Sequence, residues 1–226
     1  MDALRRQFIE FALESGVLGF GEFVTKAGRK SPYFFNAGKF NRGATLGRLA
    51  RFYAQTLLAA RAAGRVQFDM LYGPAYKGIT LAAVTAVALA ELGHDLAFSY
   101  NRKEAKDHGE GGVIVGSPLA GRVLIVDDVI TDGAAKRESV ELIRAQGATP
   151  SGVLIALDRM ERSGPDHALS ARSAVQEFEQ AAGIPVLAIA TLADLMAFFE
   201  SGSPLLAQAR PYHAAIVSYQ QKYGAH

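Results

Sequence analysis

The apolar residues of this chain fall into two rhythms. Short, mostly apolar runs at 68–72, 96–100, 123–126, 153–157 and 186–189 are the length of strands rather than of helices. Between them, at 78–92, 135–146 and 171–182, the pattern is helical, and Gly93, Gly147 and Gly183 stand where each helix would stop. Strand and helix in alternation predict an α/β fold with a central, mostly parallel, doubly wound sheet.

The first 64 residues keep a different pattern. A helix is expected from about 2 to 15 and another over 45–63, with the turn-rich stretch "KAGRKSPYFFNAGKFNRG" between them. They are expected to form a cap over the carboxyl edge of a core spanning about 65–200, with a helical segment at 201–226, the whole being one domain. One long stretch, "NRKEAKDHGEGGVIVGSP" at 101–118, has no periodicity and reads as a lid or a disordered insertion.

Composition narrows the classes. With 226 residues, half of them apolar, the chain can bury one substantial core. It has no cysteine, which excludes disulfides and thiolate metal sites. The start of the chain lacks the apolar core of a signal peptide, and the longest apolar stretch, 81–90, is interrupted by Thr85 and too short to span a bilayer. No membrane role and a cytoplasmic location are the expectation. A formal charge of +2 argues against nucleic acid as partner, while leaving local basic clusters for a small anion. His94, His167, His213 and His226 show no metal-ligand spacing.

The chemistry gathers at "RVLIVDDVITDGAAKRE", 122–138. Two adjacent acids, Asp127 and Asp128, end an apolar run; a short polar turn containing Gly133 follows, and then an amphipathic helix. In open α/β sheets ligands sit beyond the carboxyl ends of the strands, where a helix N-terminus offers free N–H groups to a phosphate. The loop 131–135 has that placement, yet it lacks the glycines of a dinucleotide fingerprint and the Gly-Lys-Ser/Thr ending of a P-loop. Carboxylates beside a phosphate repel it unless they face hydroxyls or help to organise a metal ion, so the ligand reads as a sugar phosphate. The plainer alternative is that Asp127 and Asp128 merely end a strand while Asp132 caps a helix.

Three further clusters carry the same double reading. "GPAYKG", 73–78, can wrap a diphosphate with backbone amides while Lys77 adds charge, or be an ordinary strand-to-helix turn. Arg102, Lys103, Lys106 and His108, with Gly109, Gly111 and Gly112 as hinges, suit a lid closing over a polyanion, or form a solvated charge run. In the cap, Lys26, Phe34 and Phe35 can hold a flat anionic base, or the two phenylalanines are core. Arg159 follows the run 153–157; its planar fork suits a carboxylate, or pairs with Asp158 or Glu161.

"VLIVDDVITDGAA" resembles the phosphoribosyl-diphosphate signature of the type I phosphoribosyltransferases. "TKAGRKSPYFFNAGKFNRG", "YGPAYKGITLAAVTAVALA" and "NRKEAKDHGEGG" are similar to the orotate phosphoribosyltransferases in particular, and the likeness runs from about Phe8 to beyond Arg159. The resemblance implies the fold of that family with an N-terminal hood, the transfer of ribose 5-phosphate from phosphoribosyl diphosphate to orotate in pyrimidine synthesis, Mg²⁺ as cofactor, and a homodimer in which Lys103 reaches the neighbouring site. It assigns phosphoribosyl diphosphate to Lys26, Tyr76, Lys77, Arg102, Lys103, Lys106 and His108, and to Asp127, Asp128, Val129, Ile130, Thr131, Asp132, Gly133, Ala134 and Ala135. It assigns orotate to Phe34, Phe35, Thr131 and Arg159, and catalysis to Lys26, Lys103, Asp127 and Asp128. No residue is assigned as a direct metal ligand; Mg²⁺ is expected to be held mainly by substrate and water near Asp127 and Asp128.

One departure stands out. The family usually has a small residue where this chain has Asp132 and a hydroxyl residue where it has Ala134, so a phosphate contact is expected to be missing and Asp132 to face solvent at the helix start. A transferase for another base would keep the loop but lack Arg159 and "SPYFFNAG". A non-catalytic, nucleic-acid-binding regulator would need no cationic lid and would carry a basic face. Neither rival suits these residues.

Overall fold

Residues 1–25, 28–106 and 112–225 are described by the computed structural model. The chain begins with helix α1 (Ala3–Glu14), a hairpin of β1 (Leu18–Val24) and β2 (Lys30–Phe35), and helix α2 (Gly43–Ala62). The repeating unit follows: β3 (Met70–Gly73), α3 (Lys77–Glu91), β4 (Ala97–Lys106), β5 (Gly112–Gly116), β6 (Arg122–Val126), α4 (Ala134–Ala145), β7 (Thr149–Asp158), α5 (Ala174–Ala182) and β8 (Val186–Thr191). Helices α6 (Leu192–Phe199) and α7 (His213–Tyr223) complete the described chain. Among the described residues the main sheet has the order β5-β4-β3-β6-β7-β8, parallel throughout except for β5 at its edge.

The strands read as unbroken apolar runs because both faces of the sheet are covered. Leu71, Leu124, Val126, Leu154, Ala156, Leu187 and Ile189 point into a cluster shared with α1, α2 and α3. Their neighbours Met70, Tyr72, Val123, Ile125, Val153, Ile155 and Val186 point the other way, onto Val140 and Ile143 of α4 and Phe178 of α5. Successive side chains alternate between the faces, so a strand that is dry on both leaves no polar beat in the sequence. The N-terminal elements belong to the first cluster: Phe8 and Phe11 of α1 and Phe52, Tyr53 and Leu57 of α2 are buried in it. Arg5 adds a polar tie, reaching Asp194 Oδ2 at 3.1 Å in the capping box that starts α6.

Three stretches differ from the sequence expectation. Within the run 101–118 the described residues are largely strand: β4 continues to Lys106, and β5 returns antiparallel with Tyr100 opposite Val115 and Asn101 opposite Ile114, while 107–111 lie outside the described residues. An edge hairpin with wet faces has no need of apolar alternation, which is why its charged residues hid it. The cap holds a second hairpin, β1–β2, with an irregularity between Phe20 and Phe23. The helix expected from 171 begins at Ala174, because Ser173 accepts the Gln176 N–H and Gln176 answers with its own side chain.

A close backbone approach shapes the end of β3. A Cβ added at Gly73 would lie 2.0 Å from the Gly78 carbonyl oxygen, and one at Gly78 would lie 2.5 Å from Pro74 and 2.9 Å from the Val126 carbonyl oxygen. The turn 74–76 is thus folded onto its own strand and against the tip of β6, a spacing that glycine alone allows. Gly73→Ala is expected to lower the unfolding free energy by about 3 kcal/mol through overpacking, and the melting temperature by roughly 10 °C. Gly47→Ala, in exposed helix with nothing within 4 Å of the new atom, should instead raise stability by about 0.5–1 kcal/mol. Denaturant and thermal unfolding of the two variants check the contrast.

Candidate active site

The strand order reverses between β3 and β6. Helix α3 carries the chain from β3 to β4 on one side, whereas the connection after β5 crosses to β6 on the other. At such a switch point the two outgoing turns part and leave a crevice at the carboxyl edge of the sheet. Here the outgoing turns are 74–76 and 127–133, the two stretches in which the sequence concentrates its phosphate chemistry.

Asp127 and Asp128 are both buried at the tip of β6, and they are held differently. Asp127 Oδ1 accepts the Asp128 N–H at 2.9 Å, its Oδ2 meets Lys136 Nζ, and its carbonyl accepts the Tyr53 hydroxyl at 2.8 Å. Asp128 Oδ2 meets Lys77 Nζ at 2.6 Å, and its carbonyl accepts the Ala156 N–H. The two lysines contrast: the Lys136 side chain is 8 % exposed and that of Lys77 is 53 % exposed. Burial pushes the Asp127 carboxyl above its ordinary range, Lys136 pulls it back, and the neighbouring Asp128 charge adds to the rise. Burial, followed by the two carboxylates, holds the Tyr53 hydroxyl well above its usual value, so it stays a donor.

Beyond the acids, Val129 packs on the core, Ile130 is buried beneath the loop, and Thr131 and Asp132 are exposed. Gly133 takes a left-handed backbone (φ 71°) as the cap of α4. That conformation aims the first N–H groups of the helix outward, and Gly133 has no side chain to occupy them. Asp132 occupies one instead: its Oδ1 accepts the Ala134 N–H at 3.1 Å. Asp132 therefore lies at the helix start and at the surface, as the sequence suggested, and its carboxylate already takes one of the first N–H groups of α4. Ala134 and Ala135 offer backbone only.

The turn 74–76 is tied to β4 by the Ala75 N–H, which donates to Asn101 Oδ1 at 2.9 Å. Tyr76 is exposed, and Lys103 Nζ stands 4.8 Å from the centre of its ring. Arg102 sits beside it on β4, half-buried. A cavity of about 200 Å³ lies here, lined by Tyr72, Pro74, Ala75, Asn101, Lys103 and the first turns of α4. Lys26 and His108 lie outside the described residues, as does the side chain of Lys106.

On the cap side the strand pleat separates the two phenylalanines. Phe34 is 37 % exposed and stacks on Phe23 at 5.5 Å. Phe35 turns inward between Phe8 and Phe40. Its ring is a core element, so of the two phenylalanines only Phe34 leaves a ring at the surface, and Phe35 can serve a ligand only through its backbone. Arg159 gives its fork to Glu161 Oε1, at 2.8 Å from Nε and 2.5 Å from Nη2, and donates to Ser31 Oγ at 3.1 Å above the ring of Tyr33. Of the alternatives open in the sequence, the Glu161 pair is thus the one formed here. A cavity of about 620 Å³ between the β1–β2 hairpin and α7, lined by Arg29, Ser31, Pro32, Tyr219 and Tyr223 among others, includes no residue of the acidic tip.

Sequence reasoning missed Lys136, Tyr53 and Asn101. Lys136 left a signal: with Val140 and Ile143 it occupies the i, i+4, i+7 stripe that α4 buries, a charge where an apolar residue belongs. Tyr53 and Asn101 left none, since one acts from the cap helix and the other from the lid arm. Among the described residues no group of three or more His, Asp or Glu side chains is placed to hold a metal ion. The donor set of two carboxylates, each already facing an ammonium, fits an ion that takes most of its oxygens from a phosphate ligand and water.

Known proteins align with this arrangement. The family model described as "Phosphoribosyl transferase domain" matches residues 41–187. The orotate phosphoribosyltransferase of Cupriavidus metallidurans is 62 % identical over 224 residues, covering 99 % of this chain and 96 % of that protein. That of Janthinobacterium sp. strain Marseille is 60 % identical and covers 99 % of each. The crystal structure of the orotate phosphoribosyltransferase of Francisella tularensis superimposes with a TM-score of 0.82 at 38 % identity, over 97 % of this chain and all of that one. A chain that matches along nearly its whole length and brings the turn 74–76 and the acidic tip together at one switch point belongs to the phosphoribosyltransferase family, among the orotate phosphoribosyltransferases.

Proposed function

We propose that this chain transfers the ribose 5-phosphate group of phosphoribosyl diphosphate to orotate, releasing diphosphate and orotidine 5′-phosphate, in pyrimidine nucleotide synthesis. The observation that carries the reading is the Lys77–Asp128 bridge, 2.6 Å long, which joins a turn suited to a diphosphate to acids suited to ribose hydroxyls. As the bond from C1 to the diphosphate oxygen breaks and the bond from orotate N1 to C1 forms, C1 becomes cationic and negative charge grows on the leaving group. The site must stabilise that charge, hold N1 in line and keep water away.

Each part has a task in this scheme. The backbone of 131–135 takes the 5′-phosphate; the turn 74–76 with Lys77 takes the diphosphate; Asp128, steadied by Asp127, takes the ribose hydroxyls. Lys77 is exposed enough to leave Asp128 for the diphosphate, which frees the carboxylate as substrate arrives. Mg²⁺ beside Asp127 and Asp128, held mainly by diphosphate and water, supplies further neutralising charge when bound. Phe34 offers a flat face to the base, and the carboxylate of orotate competes with Glu161 for the Arg159 fork. Lys103, on the β4–β5 arm, serves the site of the partner chain in a homodimer. Lys26, Lys106 and His108 belong to the same reading. No described helix is long and apolar enough to cross a membrane, which accords with the cytoplasmic location we assign.

Consumption of orotate with phosphoribosyl diphosphate and Mg²⁺ tests the reaction; turnover of uracil or a purine in place of orotate would refute it. Asp132→Ala should tighten phosphoribosyl diphosphate binding by roughly tenfold, because it frees a cradle N–H and removes a like charge from the phosphate. Calorimetric titration showing an unchanged or weaker dissociation constant would count against a phosphate at this loop. For the shared site, Lys103→Ala and the double variant Asp127→Ala, Asp128→Ala should each be nearly inactive alone. Random exchange of equal amounts should restore about a quarter of wild-type activity, since half the dimers are mixed and half of their sites intact. Exchange confirmed by mass spectrometry without recovery would confine Lys103 to its own chain.

A further inference from the structure

Lys136 stands where the fold expects an apolar residue. It lies on the stripe that α4 buries, beside Ser139, Val140 and Ile143, and its ammonium meets Asp127 Oδ2 out of reach of solvent. Every oxygen of Asp127 is engaged inside the protein: Oδ2 by Lys136, Oδ1 by the Asp128 N–H, and the carbonyl by the Tyr53 hydroxyl. Asp128 differs, since its carboxylate pairs with the half-exposed Lys77. The adjacent acids are equally buried but differ in partner, one held by a buried lysine and the other by a lysine at the surface.

Packing alone does not explain the lysine. A Met or Leu fills the same stripe, and a buried ion pair is a poor source of net stability, because desolvating two charges offsets their attraction. What a buried ammonium adds over an apolar side chain is direction. It holds one carboxylate oxygen from below, and the other oxygen then falls on the next N–H along the chain.

We propose that Lys136 is a positioning residue for phosphoribosyl diphosphate, acting through Asp127: by holding Oδ2 from the buried side it keeps Oδ1 on the Asp128 N–H, and so fixes the turn that presents the Asp128 carboxylate to the ribose hydroxyls. The inference rests on the reaction proposed above, and wild-type turnover of orotate in the same assay tests that reaction separately.

The test is a double-mutant cycle on Lys136→Met and Asp127→Asn, read as KM for each substrate, kcat and melting temperature. Lys136→Met should raise KM for phosphoribosyl diphosphate by about tenfold or more while KM for orotate moves less than about twofold. Adding Asp127→Asn should leave KM within about twofold of the worse single variant, because both changes remove the same anchor. Lys136→Arg, which keeps a cation on Asp127, should recover part of the loss. If Lys136→Met alone does not fold, the paired variant leaves no unmatched charge and carries the test: raised KM for phosphoribosyl diphosphate with orotate unchanged supports the role. A normal KM in either folded variant, additive effects in the cycle, or equal changes for both substrates that follow the melting temperature would overturn it.

Discussion

Two carboxylates on consecutive residues at the end of a buried strand persist because each meets an ammonium. Like charges a few ångströms apart repel by on the order of 4 kcal/mol at the effective dielectric of a protein, and both acids have also lost most of their water. The compensation comes from both layers of the fold. Lys136 rises from α4 on one face of the sheet, and Lys77 from the first turn of α3 on the other. The acidic tip therefore forms only where both helices dock, which couples the site to the two cores at once.

That docking depends in turn on backbone proximity. Gly73 and Gly78 bring the end of β3 against the carbonyl of Val126, so the turn with Lys77 lies within an ion pair's length of the residues that follow Val126. Larger residues at these glycines would hold the two strand tips apart, and the lysine with them. The unequal burial of the two lysines then fits the separate tasks proposed for them, a buried one that stays in place and an exposed one open to a polyanion.

Two features of the site oppose ligand binding in the form seen here. Asp132 holds the Ala134 N–H that a phosphate would use, and Glu161 holds the fork of Arg159. Both are carboxylates standing where an anionic group of the substrate is proposed to sit, so each keeps a donor ordered until it is displaced. The cost is affinity, and the gain is a site that does not have to organise its donors when the ligand arrives.

The sheet, its parallel sense and its crevice were legible in the bare chain, because strands dry on both faces and helices with one apolar stripe leave opposite periodicities. The place of the candidate phosphate loop was legible for a local reason as well: acids, glycine and helix start are contiguous at 127–135, and the structure sets them at the carboxyl edge of β6. The two hairpins were not. At 101–106 and 112–116 the strands lie at a wet edge, where nothing forces alternation, and at 18–35 the pairing depends on a core the cap shares with distant helices. Side-chain direction was also beyond reach. Phe34 and Phe35 are neighbours in sequence, and the pleat and the packing of Phe8 and Phe40 decide that one faces out and the other in. Arg159 had partners of both kinds available, and only the path of the chain from β7 shows Glu161 in its fork. Lys136 marks the boundary: its place on the stripe of α4 is a fact of sequence, but that an acid waits beneath it follows from β6 and α4 meeting in space, since burying a charge is tolerable only where an opposite charge is already fixed.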